Sequence, residues 1–260
     1  MMTRILDFFN AKMTEPTLYG WFHLLCWGIV ISASIIVIVY RKKFTTKFVN
    51  NFLLIMGTVF LLFEIYKLII MTYDNNGLTK FLWYIFPFQL CSTPMYLSII
   101  AGCVRKGKFY DYIISYLAIF ALFAGLAVMV LPATVFIRII GVNIQTMFVH
   151  GGMVVMGIML LSTQTAKLEW RTLLKGSVVF GIVVLIAVLL NVIWHFFGTD
   201  ANFNMFYISP WGECTMPILD IIQAKAPYVV FLISYYLVVT ACAGVVLFIA
   251  ILIEKIKKCK

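Results

Sequence analysis

Two residues in this chain have the chemistry needed for nucleophilic acyl transfer: Cys91, within YIFPFQLCSTPMYL at residues 84–97, and His150, within FVHGG at residues 148–152. A thiol attacks an ester carbonyl as its thiolate, and a histidine in reach can take the proton, leaving the acyl group on sulfur as a thioester. Water then gives hydrolysis and another hydroxyl gives transfer. Further polar groups share the same apolar surroundings: Glu64, Lys67, Gln89, His23, Asn191 and His195. Ionisable groups in apolar helices are costly, so each asks for a reason. Glu64 and Lys67, three apart on one helix face, can neutralise each other, orient the site or balance its charge. Gln89 or Asn191 could offer an amide to an oxyanion.

The elements that position these residues are membrane spans. Of 260 residues, 63% are hydrophobic, 16% aromatic and only 12% charged. The mean hydropathy is +1.04. A span needs about 20 apolar residues, and several such continuous runs are present, whereas a transmembrane barrel would alternate in segments of about ten. The expected fold is all-α, one integral membrane domain of seven spans at residues 18–40, 48–72, 82–104, 110–131, 142–163, 173–197 and 228–253. No cleavable signal is expected, because residues 1–17 are short, mixed in charge and lack an apolar core.

The net charge of +10 is distributed by topology. Arg41, Lys42, Lys43 and Lys47 follow the first run, Arg105, Lys106 and Lys108 the third, Lys167, Arg171 and Lys175 the fifth, and Lys255, Lys257, Lys258 and Lys260 the last. The other side holds only Arg4, Lys12, Lys80, Arg138 and Lys225. The positive-inside rule then puts the N-terminus outside and the C-terminus in the cytoplasm, which requires an odd number of crossings. The basic residues suit lipid headgroups and not nucleic acid. The expected location is the plasma membrane.

With that topology, counting about 1.5 Å per residue places His23, Glu64, Lys67, Gln89, Cys91, His150, Asn191 and His195 in the outer half. Such convergence predicts a shared cavity there, with the inner half serving as packing. Pro87 and Pro94 predict a kinked or partly unwound third span, a break that Gln89, Cys91, Ser92 and Thr93 could satisfy and line. Gly151 and Gly152 would let the third span approach the fifth. The loop at 132–141 is expected in the interface. The outer loop at 198–227, with Phe203, Phe206, Tyr207 and Trp211, is expected to be lid-like or to lie on the bilayer surface. Cys26 and Cys242 read as packing residues, Cys214 as the one cysteine in an outer loop, and Cys259 as cytoplasmic.

The segments FHLLCWG at 22–28, FEIYK at 63–67, PFQLCS at 87–92, FVHGG at 148–152 and NFNMFYISP at 202–210 resemble the YwaF-like family of bacterial integral membrane proteins. That family in turn resembles a eukaryotic transmembrane acyltransferase that moves polyunsaturated acyl chains onto lyso-ether phospholipids. The resemblance implies catalytic roles for Cys91 and His150 alone, membrane lipids as partners, and no cofactor. This chain departs from the pattern at Ser209, where a lysine usually precedes the proline.

Two other readings compete. A metal site could draw on His23, His150, His195, Glu64 and Cys91, although no short ligand motif such as H-E-x-x-H is present. A transporter or binding protein would also use a broken helix and intramembrane polar groups, but the chain has no visible repeat and no inner polar pathway. A retinal receptor is excluded by the lack of lysine within 228–253.

Overall fold

Long apolar runs fold as helices in a membrane because every backbone N–H and C=O must be satisfied within the segment. The computed structural model describes residues 2–132 and 135–258. Ala133 and Thr134 of the 132–141 loop, and Cys259 and Lys260 of the tail, lie outside the described residues. The helices are α1 (Met2–Phe9), α2 (Trp21–Tyr40), α3 (Thr46–Asn76), α4 (Thr93–Val104), α5 (Lys108–Tyr116), α6 (Leu122–Val130), α7 (Ile140–Ser162), α8 (Trp170–Phe197), α9 (Leu219–Lys225) and α10 (Tyr228–Lys258). A π-helical turn, Leu117–Ala121, joins α5 and α6 into one rod. Among the described residues the only β-pairing is one isolated bridge, Lys12 with Ile139.

Among the described residues six helices are long and apolar enough to cross a membrane: α2, α3, the α5–α6 rod, α7, α8 and α10. The expected third span differs. It appears as the 12-residue α4, preceded by an irregular stretch over 82–92. The prolines explain it in part. Pro94 occupies the first turn of α4, where a missing N–H costs nothing, and the Leu90 carbonyl accepts the Thr93 hydroxyl at 3.0 Å. The Pro87 carbonyl accepts from Tyr96 Oη at 3.0 Å. The helix therefore starts at this point, where a kink within a longer helix was one of the two expectations.

α7 is the central helix, flanked by the α5–α6 rod and by α2 and α3. Its glycines set the spacing. A Cβ on Gly125 would lie 2.6 Å from the His150 carbonyl, so α6 touches the α7 backbone there. Gly151 admits Val30 of α2, and Gly152 sits against Phe60 of α3, where a Cβ would come within 2.8 Å of the ring. These glycines thus seat the first two spans and not the third. α4 packs on α3 instead, through Gly57 against Met95 and Ile99 and Gly102 against Leu54.

The basic segments gather at one end of the bundle. Arg41 at the end of α2 meets Glu254 of α10 at 3.6 Å, Lys175 of α8 meets Asp111 of α5 at 3.6 Å, and Asn50 of α3 donates to the Arg105 carbonyl at 3.2 Å. At the opposite end the N-terminal segment is tied down, with Tyr73 donating to Asp7 at 2.6 Å and Lys12 paired with Asp74.

Candidate functional site

Contacts between helices fix the level of each candidate. Gly57 opposite Met95 and Gly102 opposite Leu54 make α3 and α4 antiparallel. Phe60 at Gly152 and Glu64 at Gln145 make α3 and α7 antiparallel as well. α4 and α7 are therefore parallel, and their register is set by Ser98 Oγ donating to Met156 Sδ at 3.3 Å. Counting back along each, Cys91 lies roughly 10 Å before Ser98, and His150 roughly 9 Å before Met156. By this count Cys91 and His150 fall within about one helical turn of each other in level, with Glu64 about a turn from His150 and Lys67 about a turn beyond Glu64.

At that level the polar groups form a chain across α3 and α7. Lys67 Nζ lies 2.5 Å from Glu64 Oε1, and Glu64 Oε2 accepts from Gln145 Nε2 at 3.4 Å. Gln145 Oε1 accepts from the Thr146 hydroxyl at 3.3 Å. The Glu64 side chain is 8% exposed and that of Lys67 23%.

The hydrogen bonds assign the histidine tautomers. His150 Nδ1 lies 2.7 Å from the Thr146 carbonyl. A carbonyl only accepts, so Nδ1 carries the proton and Nε2 is left as the basic nitrogen. That Nε2 is buried with no hydrogen-bond partner among the described residues. His23 is arranged the other way. Its Nδ1 accepts the Tyr19 N–H at 3.0 Å and its Nε2 donates to the Met129 carbonyl at 2.7 Å. Both nitrogens are used, so His23 braces the start of α2 against the end of α6. His195 is also apart: it is exposed and stacks on Trp211 with ring centroids 3.6 Å apart.

Cys91 immediately precedes Ser92, the N-cap of α4, so the residue is adjacent to the positive end of that helix. Three tyrosines come from elements near α4: Tyr116 ends α5, which packs on α4, Tyr207 lies in the loop segment that Gln89 holds, and Tyr235 lies on α10 and continues the aromatic stack Tyr116–Phe120–Phe180. Tyr116 Oη is 2.6 Å from the Thr93 hydroxyl. Tyr235 Oη is buried without a partner among the described residues. Of these only Tyr207 is singled out by the sequence, as part of the aromatic outer loop; Tyr116 and Tyr235 sit in apolar runs where aromatic residues are too common to single out. Gln145 and Thr146 were legible in principle, because NIQT at 143–146 interrupts an apolar helix.

The amides of Gln89 and Asn191 are committed elsewhere, and the oxyanion role expected of them does not fit their bonding. Gln89 donates to the Asn204 carbonyl at 2.9 Å and accepts the Phe206 N–H at 2.6 Å. Asn191 donates to the Met205 carbonyl at 3.0 Å and accepts its N–H at 2.8 Å. Together they strap the 204–206 backbone into the bundle. Met205, Phe206 and Ile208 are fully buried there, so this part of the long loop is a plug and not a surface layer. Phe206 and Tyr207 adopt positive φ of 60° and 56°, a conformation that costs non-glycine residues about 1–3 kcal/mol and is held by these amides. Only Tyr207 and Trp211 keep the expected surface position, at 39% and 50% exposure.

The ligand set expected of a metal centre does not assemble: no group of three His, Cys, Asp or Glu among the described residues is placed to hold an ion. A family model of transmembrane proteins, TMEM164, matches residues 17–252. The chain belongs to the TMEM164 family. No curated protein and no solved structure matches it. TMEM164 membership and six apolar helices make this a multi-pass membrane protein. The family match spans Glu64, Lys67, Cys91 and His150 alike. It is also consistent with the relation to the eukaryotic acyltransferase implied by the motifs above.

Proposed function

We propose that this protein is a lipid acyltransferase or lipid-ester hydrolase that works through an acyl-thioester on Cys91, with His150 as general base and then acid. The observation that carries the reading is the buried, unpartnered Nε2 of His150, held in its basic tautomer at the level of a cysteine beside a helix N-terminus. His150 takes the thiol proton and Lys67 favours the thiolate by charge. The sulfur then attacks the ester carbonyl, the acyl C–O bond breaks and the proton passes from His150 to the departing alkoxide; water or a lysophospholipid hydroxyl, giving its proton to His150, later attacks the thioester, and that proton returns to the released thiolate. Gln89 and Asn191, whose amides hold the 204–206 backbone, are not offered to the oxyanion. The plug of residues 204–208 covers the approach, and Gln89 and Asn191 act as its latch. The YwaF-like motifs and their relation to the lyso-ether-phospholipid acyltransferase support a phospholipid substrate.

An acyl-ester electrophile is expected to label Cys91 in preference to Cys26, Cys103 and Cys242, and His150→Ala to suppress that labelling while the bundle stays folded. Equal labelling of all four, or labelling of Cys91 that ignores His150, would count against the mechanism.

The orientation goes with this reading: seven traverses, α4 and its irregular lead-in completing the third, with the basic end in the cytoplasm of a plasma-membrane protein. Cys214 cannot report on it, because it is buried and burial raises its thiol above the ordinary range. In a background without native cysteines, Thr215→Cys is expected to react with an impermeant reagent from outside and Lys255→Cys only after permeabilisation. The opposite pattern would reverse the leaflet of the site.

A further inference from the structure

The inner half of the bundle was expected to be packing alone, yet at the basic end it holds a groove of about 300 Å³. Its floor is the buried pair Leu122 of α6 and Leu161 of α7, and its walls are Ile38 of α2 and Ile249 and Ile253 of α10. The wall residues are 40%, 50% and 48% exposed, so the groove opens sideways into the membrane. It exists because α2 packs on α7 while α10 packs on α8 and α6, which leaves the two outer helices standing apart over the α6–α7 seam. Arg41 and Glu254, 3.6 Å apart, bridge them at the groove's mouth. Lys257 lies one helical step further along α10 and completes the polar rim.

We infer that this groove is a binding site for an anionic phospholipid, one acyl chain lying along α6 and α7 and the phosphate held by Arg41 and Lys257. Charge complementarity at the end of an apolar slot identifies this ligand. Two cations share the mouth with one carboxylate, so one positive charge is left over at the depth where headgroup phosphates lie. The slot itself confers little selectivity, since an acyl chain in a bilayer is already in hydrocarbon and gains only packing on entry. Discrimination therefore comes from the headgroup. Each cation near an anionic headgroup contributes about fivefold in association and Glu254 opposes one of them, so the net preference for an anionic over a zwitterionic headgroup is about fivefold. This site lies at the opposite end of the bundle from Cys91, and the inference stands whether or not Cys91 is catalytic.

The test uses the whole protein reconstituted in phosphatidylcholine vesicles containing spin-labelled phosphatidylglycerol or spin-labelled phosphatidylcholine, with the motionally restricted fraction read by electron paramagnetic resonance. Wild type should hold phosphatidylglycerol about fivefold more strongly than phosphatidylcholine. The double variant Arg41→Gln/Lys257→Gln leaves Glu254 as the one charge at the mouth and should reverse the preference, to about fivefold in favour of phosphatidylcholine. Glu254→Gln should raise it about fivefold, because the carboxylate no longer cancels one of the two cations. Lys42→Gln/Lys47→Gln, which removes cations from the same end outside the groove, should leave it unchanged. No preference in wild type, a preference lost with Lys42 and Lys47, or no gain with Glu254→Gln would overturn the inference. Should the groove variants fail to fold, phosphatidylglycerol with a photoreactive chain should mark α6, α7 and α10 residues of the groove in the unaltered protein. Labels spread evenly over α3 and α8 would overturn the inference equally.

Discussion

Cys91→Ala is expected to abolish turnover of any lipid ester that the wild-type protein processes, and His150→Ala to lower it by about 10² to 10⁴-fold, the usual contribution of a positioned acid–base group. The asymmetry follows from the roles. Without sulfur no thioester forms, whereas without the imidazole a fraction of the thiol still ionises under the influence of Lys67 and the α4 N-terminus. Cys91→Ser separates chemistry from packing, because a hydroxyl preserves hydrogen bonding but is a far poorer nucleophile. The tautomer makes a second demand: a replacement at 150 must present a base where Nε2 now lies, so His150→Gln, which can bond but not accept a proton at neutral pH, should behave as His150→Ala. Liquid chromatography and mass spectrometry of lipid esters in vesicles with each variant gives the measurement. Full turnover by Cys91→Ser would make Cys91 a packing residue beside the start of α4 and would favour the binding or transport reading.

What the sequence made legible and what it hid divide along physical lines. The break before α4 was readable because Pro87 and Pro94 act locally, through a missing N–H that constrains only a few neighbouring residues. That Glu64, Gln145 and Lys67 meet was readable only in part: rise per residue converts position into approximate depth once the helices are known, but not into contact. The partners of Gln89 and Asn191 were not. Each side chain bonds backbone atoms of the 204–206 segment, and a backbone partner leaves no trace in residue type. The turn at Phe206 and Tyr207 has no glycine to advertise its positive φ, since the bracing amides come from distant α8 and the 82–92 stretch. His23 and His150 look alike in sequence, and only the carbonyl or N–H facing each Nδ1 distinguishes a brace from a base. Likewise Gly151 and Gly152 announce a close approach without naming the helix that makes it.

The Glu64–Lys67 pair carries the other large expectation. Removing Lys67 alone, as Lys67→Met, strands a carboxylate whose side chain is 8% exposed and whose remaining partner is Gln145 at 3.4 Å. Breaking a buried pair in this way costs about 3–5 kcal/mol, and because Lys67 keeps 23% exposure the lower end of that range is expected. Glu64→Gln should cost less, since its amide can still bond Gln145 while the ammonium reaches polar surroundings. The double variant Glu64→Gln/Lys67→Met leaves no unpaired charge and should recover most of the loss, a coupling that thermal or denaturant unfolding of the three variants in one membrane mimetic would read directly. Additive losses would mean that the two charges do not depend on each other and that the pair is not a structural unit. The same double variant also isolates the chemical role of Lys67. If the ammonium serves only to neutralise Glu64, restoring stability should restore the electrophile reactivity of Cys91 as well. If it stabilises the thiolate, the variant should fold like wild type and yet react more slowly at Cys91, because the positive charge that favours ionised sulfur is gone.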